Sequence, residues 1–161
     1  TLYAFLEAMP TDALRIFDIN LRQNWYSEEI INTSLQKANI LKINEEELHI
    51  LQQMFNHTDR NEENSCRQIM QAYDLDMLIL TCGAEGSTVF TRNGMSHLPT
   101  NKVVVKDTVG AGDSFTASFI ASLLCGMSLR DAHRIATNVS AYVCTQEGAT
   151  PVIPEEYKSL S

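Results

Sequence analysis

Asp107-Thr-Val-Gly-Ala-Gly-Asp-Ser-Phe115 gathers the residue types that phosphoryl transfer to an alcohol requires. Gly110 and Gly112 let the backbone approach a ligand closely, and Gly110, Ala111 and Gly112 can aim bare N–H groups at one point. Asp113 enters the first turn of an apolar helix expected from Ser114 to Cys125, whose dipole adds partial positive charge at that end. Such a point favours an anion. Amides there can hold a transferring phosphoryl group while Asp113 takes the proton of an attacking hydroxyl. Gly-Ala-Gly-Asp before a helix also suits an ordinary turn with an N-capping aspartate.

Three further strings stand where strands end. Asn44-Glu45-Glu46-Glu47 reads either as an N-cap with an acidic first turn or as a ligand site at a strand terminus. Thr81-Cys82-Gly83-Ala84-Glu85-Gly86 is a strand-ending turn or a loop for phosphate. With no Gly-Lys-Ser/Thr following, it is neither a Walker A loop nor a dinucleotide fingerprint. In Asp18-Ile-Asn-Leu-Arg22, Arg22 suits either an anionic substrate group or a salt bridge at the strand end.

The elements that must position these residues alternate between short apolar runs and helical periodicity, the pattern of an α/β domain with a mainly parallel sheet. Strands are expected at Arg15–Ile19, Ile40–Ile43, Asp76–Cys82 and Lys102–Lys106. Ser87–Thr91 and Met95–Leu98 form a hairpin about Arg92-Asn93-Gly94. Ser27 caps a helix that turns Ile30, Ile31, Leu35 and Ala38 inward, and Asn44 opens one with Leu48, Leu51 and Phe55 on one face. Residues 57–64 read as loop, followed by Cys66, Ile69, Met70 and Tyr73 at helical spacing. Gly126 closes the helix expected from Ser114. Ser128 then caps a last helix with Leu129, Ala132, Ala136, Val139 and Val143 in one stripe, closed by Gly148. Thr1 to Met9 read as the later part of a helix.

The chain of 161 residues is about one domain, and its formal charge of −8 argues against a nucleic-acid surface. Neither a signal peptide nor a run of about 18 apolar residues is present, so the expectation is a soluble cytoplasmic protein with no membrane partner. Cys66, Cys82, Cys125 and Cys144 form no C-x-x-C pair and read as reduced core thiols; His49, His57, His97 and His133 lack metal-ligand spacing and read as surface or helix residues.

The string Asp107–Phe115 closely resembles the C-terminal signature of the ribokinase-like, or PfkB-type, carbohydrate kinases, with Ser118 standing where glycine or alanine is usual. The resemblance implies the C-terminal part of a three-layer α-β-α domain. It also implies ATP-dependent phosphorylation of a sugar hydroxyl, with Asp113 as base and Gly110, Ala111 and Gly112 as anion hole. Asn44 and Glu47 would match the family's N-x-x-E motif and organise a water-coordinated Mg²⁺. Thr81, Gly83 and Gly86 would support the nucleotide. In the final helix, counting places Thr137 at the adenine position and Asn138 one residue on. Asp107 would belong to a K⁺ site or merely cap its turn. Asn20 and Arg22 would face the acceptor, and Asp18–Gln23 looks most like fructokinase-type members. Family kinases are about twice as long, so the chain reads as a C-terminal portion, with the sugar-binding and lid part, and the contacts of a homodimer, outside it. Two alternatives stay open: a nucleotide-binding part without independent catalysis, and a kinase of a sugar acid or nucleoside.

Overall fold

Ile40–Asn44 and Met77–Thr81 carry apolar residues without helical spacing, and both become strands buried on two faces. The computed structural model describes residues 2–21, 26–56, 59 and 61–158. In chain order the elements are α1 (Leu2–Glu7), β1 (Ile16–Asp18), α2 (Glu28–Lys37), β2 (Ile40–Asn44), α3 (Glu45–Met54), α4 (Glu62–Ala72), β3 (Met77–Thr81), β4 (Ser87–Thr91), β5 (Gly94–Leu98), α5 (Ala111–Leu124), α6 (Leu129–Cys144) and α7 (Glu155–Lys158). The strands form one mixed, mostly parallel sheet in the order β1-β2-β3-β4-β5, flanked by helices, as the α/β pattern requires. β1 and β2 are parallel, with Asp18 opposite Lys42. Among the described residues no helix is long and apolar enough to cross a membrane.

The chain resolves into two compact units, Thr1–Leu80 with Phe90–Gly94, and Thr81–Val89 with Met95–Ser161. In the first, Ile31 and Leu35 of α2, Leu48 and Leu51 of α3, and Cys66 and Ile69 of α4 are buried, as are Ile40, Leu41 and Ile43 of β2 and Leu78, Ile79 and Leu80 of β3. Each fully buried aliphatic side chain of this kind contributes roughly 1.5–3 kcal/mol. Ser27 caps α2 through the Ile30 amide, as expected, but Ile30 itself is 53% exposed and Ala38 is only the C-cap. Helix α4 starts inside the segment 57–64 that polarity marks as loop, because Asn61 accepts from the Asn64 amide and caps it. His57, of that segment, lies outside the described residues.

In the second unit, Phe115 and Phe119 of α5 stack at 6.2 Å and are buried with Ala132, Ala136 and Val143 of α6. The serines of α5 satisfy themselves within the helix. Ser114, Ser118 and Ser122 donate to the carbonyls of Ala111, Ser114 and Ser118 at 2.9, 2.6 and 2.8 Å, so the unusual Ser118 needs no outside partner. Helix α5 ends in a Schellman arrangement, Gly126 N donating to Leu123 O and Met127 N to Ser122 O. Helix α6 stops at Cys144, four residues before Gly148. The strand expected at Lys102–Lys106 does not form. Val104 is 85% exposed, and Lys106 N bonds instead to Cys144 O at 2.8 Å. A β-branched run becomes a strand only where a neighbour completes its ladder. Of the four cysteines, all free, only Cys66 is buried; Cys125 is exposed.

His133 lies in helix α6, one of its two expected placements, and is fully buried there. Its Nε2 lies 2.8 Å from Ser87 Oγ of β4 and its Nδ1 2.9 Å from Ser96 Oγ of β5, while Phe115 meets the ring edge-on at 5.9 Å. A neutral imidazole has one donor and one acceptor nitrogen, so two hydroxyls satisfy it completely. Burial, and then the nearby His97 and Arg130, hold its pKa down to about 4 from 6.5. A depressed histidine pKa means that the unfolded chain binds the extra proton first. The stability from neutral His133 is therefore intact above pH 6.5 and is lost as pH falls toward 4. We expect the unfolding free energy to fall by about 3 kcal/mol over that window on account of this residue. In His133→Gln, denaturant unfolding at a series of pH values should give a flatter profile from a lower plateau; an unchanged slope would contradict the assignment.

Candidate active site

Helix α5 begins at Ala111, three residues earlier than the sequence pattern suggests, because the backbone turns at Gly110. Gly110 has φ +81°, and a Cβ there would lie 2.5 Å from Ala149 O, so both conformation and close approach require glycine. Asp107 spans the same turn. Its Oδ1 accepts from Val109 N at 3.0 Å and its Oδ2 from Gly148 N at 3.3 Å, which is the turn-capping role. Ala111 N donates to Thr108 O at 3.2 Å, so this member of the expected anion hole serves its own turn. Gly112 and Asp113 occupy the second and third helical positions, where amides have no intrahelical acceptor, and Gly110 supplies no capping side chain. Gly112 and Asp113 therefore present amide donors at this helix start, while Ala111 of the expected trio does not. The Asp113 side chain is exposed in that first turn.

In the same unit, residues Thr81 to Gly86 close a turn on themselves. Cys82 N donates to Gly86 O at 2.8 Å, Glu85 N to Cys82 O at 2.9 Å, and Gly83–Glu85 form a single 3-10 turn. Gly86 has φ +123°, and a Cβ would fall 2.3 Å from Leu98 O. Thr100 Oγ1 donates to Gly83 O at 2.7 Å and ties the loop there, and residues 83–85 are exposed. On α6, Thr137 is buried and its hydroxyl bonds back to His133 O at 2.9 Å. Asn138 is half-buried, its Oδ1 accepting from Asn101 Nδ2 at 2.7 Å, so Asn138 rather than Thr137 keeps a side-chain group to offer.

The first unit holds the remaining candidates at the ends of β1 and β2. Asn44 and Glu47 form a full capping box: Asn44 Oδ1 accepts from Glu47 N at 2.9 Å, and Glu47 Oε2 from Asn44 N at 2.8 Å. Glu47 Oε1 also accepts from Leu21 N at 3.3 Å. This carboxylate is only 5% exposed. Burial pushes its pKa up, against the lowering effect of the Asn44 and Leu21 amides and of Lys42. Asp18 Oδ1 pairs with Lys42 Nζ at 2.9 Å. Asn20 is exposed, and Arg22 lies outside the described residues. Sequence reasoning passed over Lys42, although a lysine inside Ile40-Leu41-Lys42-Ile43 signals a charge that must find a buried partner. It also passed over His133, whose place on an apolar helix stripe gave no cue to the two serines.

The description "pfkB family carbohydrate kinase" matches residues 4–156. Two Arabidopsis thaliana proteins, named probable fructokinase-3 and putative fructokinase-8, are 30% and 31% identical, aligned over 96% of this chain and over 47% and 77% of their own lengths. A 5-dehydro-2-deoxygluconokinase of Bacillus thuringiensis is 26% identical over 89% of the chain and 45% of its own length. Among solved structures, a ribokinase of Thermotoga maritima superposes with a TM-score of 0.79 at 26% identity, covering 98% of this chain and 51% of that one. A fructokinase of Xylella fastidiosa with bound ATP does so with a TM-score of 0.71 at 25% identity, covering 90% and 50%. The chain spans about half the length of most of these proteins. With the match running over nearly all of its residues, the chain belongs to the pfkB family of carbohydrate kinases.

Proposed function

We propose that the chain carries the nucleotide-binding and catalytic part of an ATP-dependent sugar kinase of the cytoplasm, with fructose as the acceptor to test first. The observation that carries this reading is the start of α5, where uncapped amides and an exposed carboxylate share one helical turn. In this reading the Gly112 and Asp113 amides hold the transferring phosphoryl group, and the Asp113 carboxylate accepts the proton of the sugar hydroxyl. The hydrogen-bonded turn Thr81–Gly86 and the side chain of Asn138 support the nucleotide. Fructose is favoured by the relatives named fructokinases and by the string Asp18–Gln23. The relative named for a deoxygluconate substrate keeps a sugar acid as the second choice.

Asn44 and Glu47 have their amide bonds already made, yet each Glu47 oxygen retains a lone pair. That chemistry fits a hydrated Mg²⁺ held through its waters, since this ion usually keeps several. Bound there, Mg²⁺ would neutralise charge on the phosphates. Potassium enters only through Asp107, whose oxygens already accept two amides, and a comparison of rates in K⁺ and Li⁺ tests it. The competing reading, nucleotide binding without catalysis, predicts ATP binding with no sugar-dependent release of ADP.

Coupled ADP release from fructose and MgATP should fall by about 10²- to 10⁴-fold or more in Asp113→Asn. ATP affinity should stay within roughly threefold, because the amides remain. Turnover retained in the variant would contradict the base assignment. Gly110→Ala meets a left-handed backbone, worth roughly 1–2 kcal/mol, plus the clash with Ala149 O. It should lower the unfolding midpoint and weaken ATP binding together; weakened stability with unchanged ATP affinity would separate this turn from the nucleotide.

A further inference from the structure

Lys42 is a buried charge, 7% exposed, that the proposed chemistry does not use. It lies directly opposite Asp18 in the parallel pair β1–β2, so the two side chains project from the same face, and its ammonium reaches Asp18 Oδ1 at 2.9 Å. Asn44, two residues on, projects from that face too, and its capping partner Glu47 completes a polar row at the carboxyl ends of the strands. The row grips the chain that leaves β1 on both sides of Asn20. Ile19 N donates to Lys42 O at 3.1 Å, and Leu21 N donates to Glu47 Oε1 at 3.3 Å. Ile19 is buried and Asn20 between them is exposed. A buried ion pair is weak evidence for stability, because an apolar pair of similar size often serves as well. Its placement beside an exposed candidate contact points to a task in orientation.

We infer that Lys42 is a positioning residue for the acceptor: paired with Asp18, and acting with the Glu47 clasp on Leu21, it fixes the backbone from which Asn20 meets the sugar. This rests on the kinase reading with Asn20 on the acceptor side, and adds to it a residue that touches no substrate. Fixing one hydrogen-bonding side chain affects the substrate that it contacts and leaves the nucleotide alone.

The test measures kcat and both KM values for wild type, Lys42→Met and Lys42→Arg, with amide hydrogen exchange followed at Leu21. In Lys42→Met we expect the fructose KM to rise about tenfold, with kcat and the ATP KM within about twofold, and Leu21 exchange to quicken about tenfold. Lys42→Arg, which keeps the charge, should recover most of both effects. If Lys42→Met fails to fold, the double variant Asp18→Asn/Lys42→Met removes both charges and is judged by the same criteria. An unchanged fructose KM in an active variant would overturn this inference alone. So would an equal loss toward ATP and fructose that arginine does not rescue. A folded wild-type chain that binds MgATP and turns over no sugar would favour the nucleotide-binding reading and overturn this inference with it.

Discussion

The turn at Gly110 is the constraint from which the rest of the second unit follows. Its left-handed backbone, pressed against Ala149 O, lets helix α5 start without a capping side chain. Most helices satisfy their first amides with a serine, threonine or aspartate at the cap. Here the cap is a glycine, and the carboxylate that precedes it, Asp107, is occupied by Val109 N and Gly148 N. Donors left at a helix start are stabilised by whatever anion comes to them, and Asp113 sits among them with its side chain exposed. Below the turn, α5 packs along α6, with Phe115, Phe119, Ala132 and Ala136 all buried. Ser140 Oγ of α6 reaches Ala111 O at 3.0 Å and ties the first turn down.

The first unit solves a different problem, charge inside a sheet. Lys42 and Glu47 are both nearly excluded from water and both paired, the one with Asp18, the other with two backbone amides. Each contact organises backbone at a strand end, where ligands gather in open α/β sheets. The capping box of Asn44 and Glu47 is compatible with the proposed Mg²⁺ reading. The first uses the backbone amides and the second would use the remaining lone pairs.

Much of this was legible from residue types. Asn-Gly at 93–94 fixed the hairpin, Ser27, Asn44 and Ser128 each cap the helix expected of them, and the buried strands β2 and β3 follow from unbroken apolar runs. What misled was propensity without context: Val103–Val105 has strand composition, but Val104 and Val105 stay open to solvent. The start of α5 was misread because Gly-Ala-Gly is a poor helix sequence, and only the contact with Ala149, distant in the chain, shows why the helix begins there. The same limit hid the serine partners of His133 and the partner of Lys42, which depend on strand register that a single sequence does not display. Of the three amides expected to meet an anion, that of Ala111 closes its own turn on Thr108 O, a bond that residue types alone do not announce.

The most direct measurement of the central claim is a titration of this chain with MgATP while its backbone amide resonances are recorded. The account predicts the largest shifts at Gly112 and Asp113, with further changes at Gly83–Gly86. Binding that shifts residues elsewhere and leaves the α5 start untouched, or no binding by a folded chain, would contradict it.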